Sequence, residues 1–445
     1  MTSRWLGRGG GTSLPGMVAR RVHPRVLAEL VGRRQVPAVA ITGSNGKTTT
    51  ARFLAALLRG EGIPTALNPA GSNLIQGVTS LAVSVADLRG RMPAGVLAVE
   101  VDEGALRLVV PEISPRALVV TNLFRDQLDR FGEIYAVAEA IESVAAGLPQ
   151  DVALVVNSDD PMVADMAHAR RGRRITFGLE LAGSTDRLTS AADTIRCPRC
   201  RTDLVYERVY LSHLGRYRCE ACGFARPRPD VAITAVERHG LEGTRCTVTT
   251  AGETIEISIP QAGLHVAYNA AAAVAACLAL GVAVPHATSS LARVAPAFGR
   301  LEVIQAGSRE IVLAFAKNPT SFNTTLRTLD DAGEPQHLLV AVSNTLVDGE
   351  DFGWLWDVDF EGVAGRVQRV TVSGLRRDEM ATRLKYAGVD PRLMTLVEDR
   401  RAALDTALAA VPDGGRLVAV ASYTPTIELR DEMRRRGWVG RYWKS

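Results

Sequence analysis

Between residues 36 and 160 the chain alternates uninterrupted apolar runs with longer stretches of helical period. The runs are VPAVAIT (36–42), GVLAVEVD (95–102), RALVVTN (116–122) and DVALVVN (151–157). Apolar runs without polar alternation predict strands buried on both faces. Helical stretches between them, TTTARFLAALLRG (48–60) first, predict a parallel sheet covered by helices. The Ala-rich AAAVAACLALGVAV (271–284) is too short for a membrane span and predicts a buried helix.

The rhythm breaks near residue 193. CPRCRTDLVYERVYLSHLGRYRCEACGFARPRP (197–229) is polar, Tyr-rich and Cys-rich, and the strand-like AITAVERHGLEGTRCTVTT (232–250) follows it. After GRLEV (299–303) a second α/β series begins with HLLVAVSN (337–344), RVTVSG (369–374), MTLVED (394–399) and RLVAVASY (416–423). The expected organisation is a basic helical segment at 1–35, a central α/β domain at 36–298 with an insertion at 193–228, and a C-terminal α/β domain at 299–445. A chain of 445 residues is long enough for two or three domains.

Composition narrows the class without changing the fold. Apolar residues at 47% against 22% charged are the balance of a soluble globular protein, and the net charge of +4 is too small to argue for nucleic acid. The arginine-rich N-terminus lacks the apolar core of a signal peptide, so a cytoplasmic protein is expected. In that compartment cysteines are thiols or metal ligands more often than disulfides.

Three features carry chemistry. TGSNGKTTT (42–50) lies between an apolar run and a helical stretch, where Gly43, Ser44, Asn45 and Gly46 can turn backbone N–H groups towards a phosphate. Lys47 would reach the outer phosphates and the Thr48 hydroxyl would hold Mg²⁺. The loop is shorter than the common form, with two residues between its glycines instead of four. Glu100 lies inside an apolar strand, where a carboxylate needs a cation, and a Mg²⁺ shared with the phosphates would supply one. Asp102 and Glu103 are weaker candidates. Cys197-x-x-Cys200 and Cys219-x-x-Cys222, eighteen residues apart, have the spacing of a four-thiolate zinc site, closed and therefore structural. Cys246 and Cys277 sit in apolar contexts and read as core residues.

The ordered set TGSNGKTTT, VEVDEG, TNLFRDQLDRFGE (121–133), NSDDP (157–161), YNAAAAVAAC (268–277) and GRLE (299–302) resembles the Mur ligases. Those enzymes activate a carboxylate as an acyl phosphate for attack by an amine. The resemblance implies ATP contacts from the loop, including Thr49, and from Asn269 and Arg300. The chain departs from the amino-acid-adding members in three places. Gln127 stands where they carry a metal-holding His, no lysine lies between Lys47 and Lys317 for carbamylation, and Ala314 in AFAKNPTSFN replaces their ribose-binding aspartate, leaving Lys317 or Asn318 to serve the nucleotide.

These departures, the four cysteines and the acidic DGEDFGWLWDVDFE (348–361) are similar to the MurT family. That resemblance implies a synthetase paired with a GatD-type glutaminase. Such a pair amidates the α-carboxylate of D-glutamate in the lipid II stem peptide, using ATP and Mg²⁺, at the inner face of the membrane. It also implies that Asp351 completes the partner's Cys-His-Asp triad, where a carboxylate orients the imidazole. A stand-alone amino-acid-adding ligase of the Mur or folylpolyglutamate type, and a zinc-ribbon nucleic-acid-binding module with a regulatory ATPase, are the alternatives.

Overall fold

The computed structural model describes residues 13–33, 36–69, 71–125, 134–182, 193–296, 299–331, 336–345 and 348–440. Strands β1 (Ala38–Thr42), β2 (Thr65–Leu67), β3 (Val96–Glu100), β4 (Ala117–Val120), β5 (Ala153–Asn157) and β6 (Arg174–Leu179) come first along the chain. A separate hairpin follows, β7 (Val205–Leu211) and β8 (Leu214–Arg218). Strands β9 (Val231–His239), β10 (Gly243–Thr249) and β11 (Thr254–Ile259) come next. The first sheet has the order β11-β10-β9-β6-β5-β4-β1-β3-β2. Its strands from β2 to β9 run parallel, and β10 and β11 extend it in antiparallel fashion.

The residues explain that arrangement. Every residue of β1, β3, β4 and β5 is buried, as the apolar runs require of strands covered on both faces. On one face lie helix Lys47–Gly60 and helix Leu264–Ala279; the latter is buried along nearly its whole length because alanines let it approach the sheet closely. On the other lie helices Ile75–Val85, Leu106–Ile113 and Ile134–Gly147. β1 pairs with β3 on one side and β4 on the other, so the connections leave it in opposite directions. This reversal opens a crevice at the carboxyl ends of β1 and β4, where open α/β sheets bind ligands.

The second sheet, β12-β13-β17-β14-β15-β16, contains β12 (Glu302–Ala306), β13 (Arg309–Phe315), β14 (Gln336–Ala341), β15 (Val367–Ser373), β16 (Met394–Leu396) and β17 (Arg416–Ala421). It is parallel except at β12. In the Cys-rich insertion Leu204, Tyr217 and Phe224 pack around Cys197 and Cys219, in one cluster with Ala164 of the main domain.

Candidate functional site

The loop after β1 is a strained turn held from behind. Gly43 (φ 121°) and Gly46 (φ 87°) adopt backbone conformations that L side chains rarely enter. Space forbids a side chain as well: a Cβ on Gly43 would lie 2.3 Å from Thr121 Oγ1, and one on Gly46 would lie 2.2 Å from Asn269 Oδ1. The segment after β4 holds the loop in place. Asn122 Oδ1 accepts from Asn45 N–H (2.9 Å), Asn122 O accepts from Ser44 N–H (2.9 Å), and Ser44 Oγ–H donates to Phe124 O (2.9 Å). Thr49 is buried in the first turn of the helix. The Asn45 amide Nδ2 is buried without a hydrogen-bond partner, an orphaned donor inside a phosphate-type loop.

Lys47 and Glu103 form a nearly buried ion pair. Lys47 Nζ lies 2.7 Å from Glu103 Oε1 and donates to Gly43 O at 2.6 Å. Burial pushes the Glu103 carboxyl up, but the Lys47 ammonium more than offsets it and Lys317 adds to the effect. The carboxyl is held below the usual range. Glu103 therefore faces the loop lysine, and Asp102 is occupied as a cap that accepts from Gly104 N–H.

Glu100 ends β3 with its carboxylate against the loop helix. Thr48 Oγ1–H donates to Glu100 Oε2 at 2.6 Å, and Asn73 Nδ2 lies 3.4 Å from Oε1. The Asn68 side chain pairs with both the N–H and the C=O of Glu100, fixing the strand end (2.8 and 3.0 Å). Among the described residues this buried carboxylate has no cationic partner. Two oxygens that face each other at 2.6 Å fit Mg²⁺, whose octahedral ligands lie about 2.9 Å apart.

The C-terminal domain meets this loop. Asn318 is buried, caps helix Pro319–Asp331 by accepting from Ser321 N–H (2.8 Å), and its Nδ2 lies 3.5 Å from Asn45 Oδ1. The Arg300 guanidinium stands 5.2 Å over the Phe315 ring and beside His265, one turn before Asn269. Burial, reinforced by Arg300, pushes His265 down to about 4, so it is neutral at pH 7. The loop, Asn269 and Asn318 thus converge, with Arg300 next to them. Gln127 lies outside the described residues.

The four cysteines come together. Their Sγ atoms lie within 4.8 Å of one another, with Cys197–Cys222 at 3.6 Å and Cys200–Cys219 at 3.4 Å. Sulfurs around tetrahedral zinc are about 3.8 Å apart, so this donor set fits that ion. Cys246 and Cys277 are buried in the main core, and burial pushes the Cys246 thiol up to about 12 and the Cys277 thiol further.

Asp351 is exposed on the C-terminal domain, far along the chain from the loop, and accepts from Gly353 N–H (2.9 Å) at the start of the 3₁₀ turn Gly353–Asp357. Asp348 points the other way. It is buried, accepting from Thr424 N–H and the Thr345 hydroxyl. Sequence reading passed over Asn68, Asn73, Asn122 and His265, and it ranked Glu103 low. The TNL and GLH stretches were the available signals, but amides and a histidine at such positions look like ordinary turn and cap residues.

Residues 41–198 match the Mur ligase middle domain, and residues 315–425 match the MurT ligase C-terminal family. The chain is 30% identical over 424 residues to the lipid II isoglutaminyl synthase (glutamine-hydrolyzing) subunit MurT of Streptococcus pneumoniae, covering 95% of this chain and 92% of that one. It is 28% identical to the subunit of that name from Staphylococcus aureus strain N315, covering 97% and 95%. In fold it resembles a pseudomurein peptide ligase type C from Methanothermus fervidus, with a TM-score of 0.66 and 22% identity over 90% of this chain and 79% of the other.

Proposed function

The chain belongs to the MurT family, a branch of the Mur ligases, and on that premise we propose that it is the synthetase subunit of a glutamine-dependent amidotransferase acting on lipid II. ATP binds in the crevice between β1 and β4. Asn45, Gly46, Lys47 and Thr48 meet its phosphates, and Asn269, Arg300 and Asn318 contribute from the neighbouring helix and the C-terminal domain. The α-carboxylate of D-glutamate attacks the γ-phosphorus. A carboxylate O–P bond forms, the bond to the bridging oxygen breaks, and ADP leaves. Ammonia then attacks the acyl carbon, the acyl C–O bond breaks to release phosphate, and loss of a proton leaves D-isoglutamine.

Lys47 balances charge on the transferring phosphoryl group, and Thr48 with Glu100 would hold Mg²⁺, which supplies electrostatic stabilisation of the phosphates. Cys197, Cys200, Cys219 and Cys222 would hold a structural zinc that takes no part in the reaction.

The observation that carries the amidotransferase reading is the state of the cysteines. Four share one cluster fit for a metal, which would occupy even exposed Cys200, whose thiol the Thr202 hydroxyl and N–H lower to about 6. The other two are core thiols with raised pKa, whereas a glutaminase needs an accessible, activated thiol free of metal. In this reading ammonia comes from a GatD-type partner, and exposed Asp351 is the carboxylate offered to its triad. The proposed setting is the cytoplasmic face of the membrane, and among the described residues no helix is long and apolar enough to cross it.

The test is reconstitution. The purified chain with ATP, Mg²⁺, lipid II and ammonium salt should yield amidated product. Glutamine should replace ammonium only when the glutaminase is added. Transfer of amino acids instead of ammonia would establish the stand-alone ligase reading.

A further inference from the structure

The Cys-rich insertion is anchored directly behind the phosphate loop. Hairpin turns ordinarily lie on the surface, yet the turn between β7 and β8 is inside the protein: Ser212 is 5% exposed and His213 0%. Ser212 takes a left-handed conformation (φ 55°), and Gly215 N–H donates to Asp159 O (2.9 Å), fastening the hairpin to the end of β5. The hairpin tip thus plugs the carboxyl end of the sheet.

His213 and Asp193 then grip residues 123–125. The His213 ring packs on Phe124 with centroids 4.7 Å apart. Its Nδ1 faces Asp193 N–H (3.4 Å), and its Nε2, buried without a hydrogen-bond partner, lies 3.5 Å from Asp160 Oδ2. The same Asp160 oxygen accepts from Leu123 N–H (2.8 Å). The Asp193 carboxylate accepts from Arg125 N–H (2.9 Å) and from the Arg125 guanidinium. On its opposite side this backbone is the template for the phosphate loop. Phe124 N–H and C=O both bond the Ser44 hydroxyl (2.9 Å each), and neighbouring Asn122 bonds Ser44 and Asn45.

We propose that His213 and Asp193 are positioning residues for ATP binding: through residues 122–125 they set the phosphate loop, making the insertion a support of the nucleotide site. This rests on the ATP reading above. Neither residue touches the nucleotide. Their effect passes through Leu123, Phe124 and Arg125 to Ser44 and Asn45, so it should appear in ATP affinity.

The experiment measures Kd for a fluorescent ATP analogue with Mg²⁺, KM for ATP in ammonia-dependent amidation, melting temperature and metal content. His213→Ala should raise Kd and KM roughly tenfold or more, as small displacements of binding groups do, while bound metal stays at the wild-type level. His213→Gln should restore affinity to near wild type, because an amide presents one acceptor and one donor to Asp193 N–H and Asp160. Asp193→Ala, which removes the Asp193 carboxylate from Arg125 N–H and its guanidinium without opening the hairpin, should reproduce the affinity loss and serves if His213→Ala does not fold. Arg218→Ala, at an exposed site on the same hairpin paired with Glu207 and Glu220, should leave Kd unchanged. A lower melting temperature with unchanged Kd and KM in His213→Ala and Asp193→Ala would overturn the proposal. Failure of the wild type to bind the analogue would instead overturn the ATP reading.

Discussion

Glu103→Gln isolates the charge that the phosphate loop neutralises when no nucleotide is bound. The substitution keeps the shape of the side chain and an oxygen near Lys47 but removes the negative charge. Lys47 and Glu103 are 9% and 10% exposed at 2.7 Å, so the variant removes the charged partner of a buried ammonium that keeps Gly43 O as an acceptor. Removing one member of a buried pair costs about 3–5 kcal/mol, and the retained amide oxygen favours the lower end. At roughly 2–4 °C per kcal/mol for a domain of this size, the nucleotide-free variant should melt about 6–12 °C below wild type. Bound phosphates would supply the missing negative charge, so nucleotide should stabilise the variant more than the wild type and close most of the gap.

The sign with pH follows from the carboxyl. Because Glu103 is held below its ordinary value of 4.5, its contribution is fully present above that pH and is lost as pH falls through the lowered value. The gap between the two proteins should therefore narrow in strong acid. Thermal unfolding with and without ADP and Mg²⁺ measures all of this. An equal penalty in the presence and absence of nucleotide would refute the view that Glu103 holds the place of phosphate.

Four other outcomes are expected. Lys47→Ala and Glu100→Ala should each lower ammonia-dependent amidation on the order of 10²-fold or more, measured as kcat/KM at fixed Mg²⁺, with circular dichroism unchanged. Asp351→Asn should abolish glutamine-dependent amidation in the assembled complex yet leave the ammonia-dependent rate intact, whereas Asp348→Asn, at a buried and satisfied carboxylate, should instead destabilise the fold by about 1–3 kcal/mol, read as a lower melting temperature. Freshly purified protein should contain one equivalent of zinc by elemental analysis, and Cys197→Ser with Cys219→Ser should lower that content and the melting temperature before the chemical step. His265, neutral in the fold with its pKa near 4 against 6.5, should cost on the order of 3 kcal/mol of stability as pH falls from 6.5 to 4, and His265→Asn should flatten that part of the stability profile.

The strands most visible in the sequence are those whose environment leaves one solution. β1, β3, β4 and β5 are buried on both faces, and each is a continuous apolar run. β2 spans only three residues, too short to register as a run. β6 pairs with β9 across the whole insertion, so its place in the sheet depends on a contact that no local pattern reports. The antiparallel extension by β10 and β11 was hidden for a related reason. TIEISI alternates like a half-exposed strand, and its membership in the main sheet follows only from the pairing of β9 with β6.

The site divides along the same line. Lys47, Thr48 and Glu100 were legible because each is tied to a local pattern: a glycine turn entering a helix, or a carboxylate in an apolar strand. Their partners were not. The pairing of Ile41 with Glu100 brings the end of β3 level with the loop, but that register alone would give Lys47 and Thr48 three nearby carboxylates to choose from. The choice is made by the 3₁₀ turn Glu103–Ala105. Asp102 caps it, which uses up one acid and swings Glu103 towards Lys47, fifty-six residues earlier, leaving Glu100 to Thr48. Spacing along the chain cannot distinguish three acids within four residues, whereas the direction of one capped turn can. The support from the insertion is hidden for the same reason. His213 looks like a polar residue in a hairpin turn, and only the packing of that turn against Phe124 places it behind the phosphate loop.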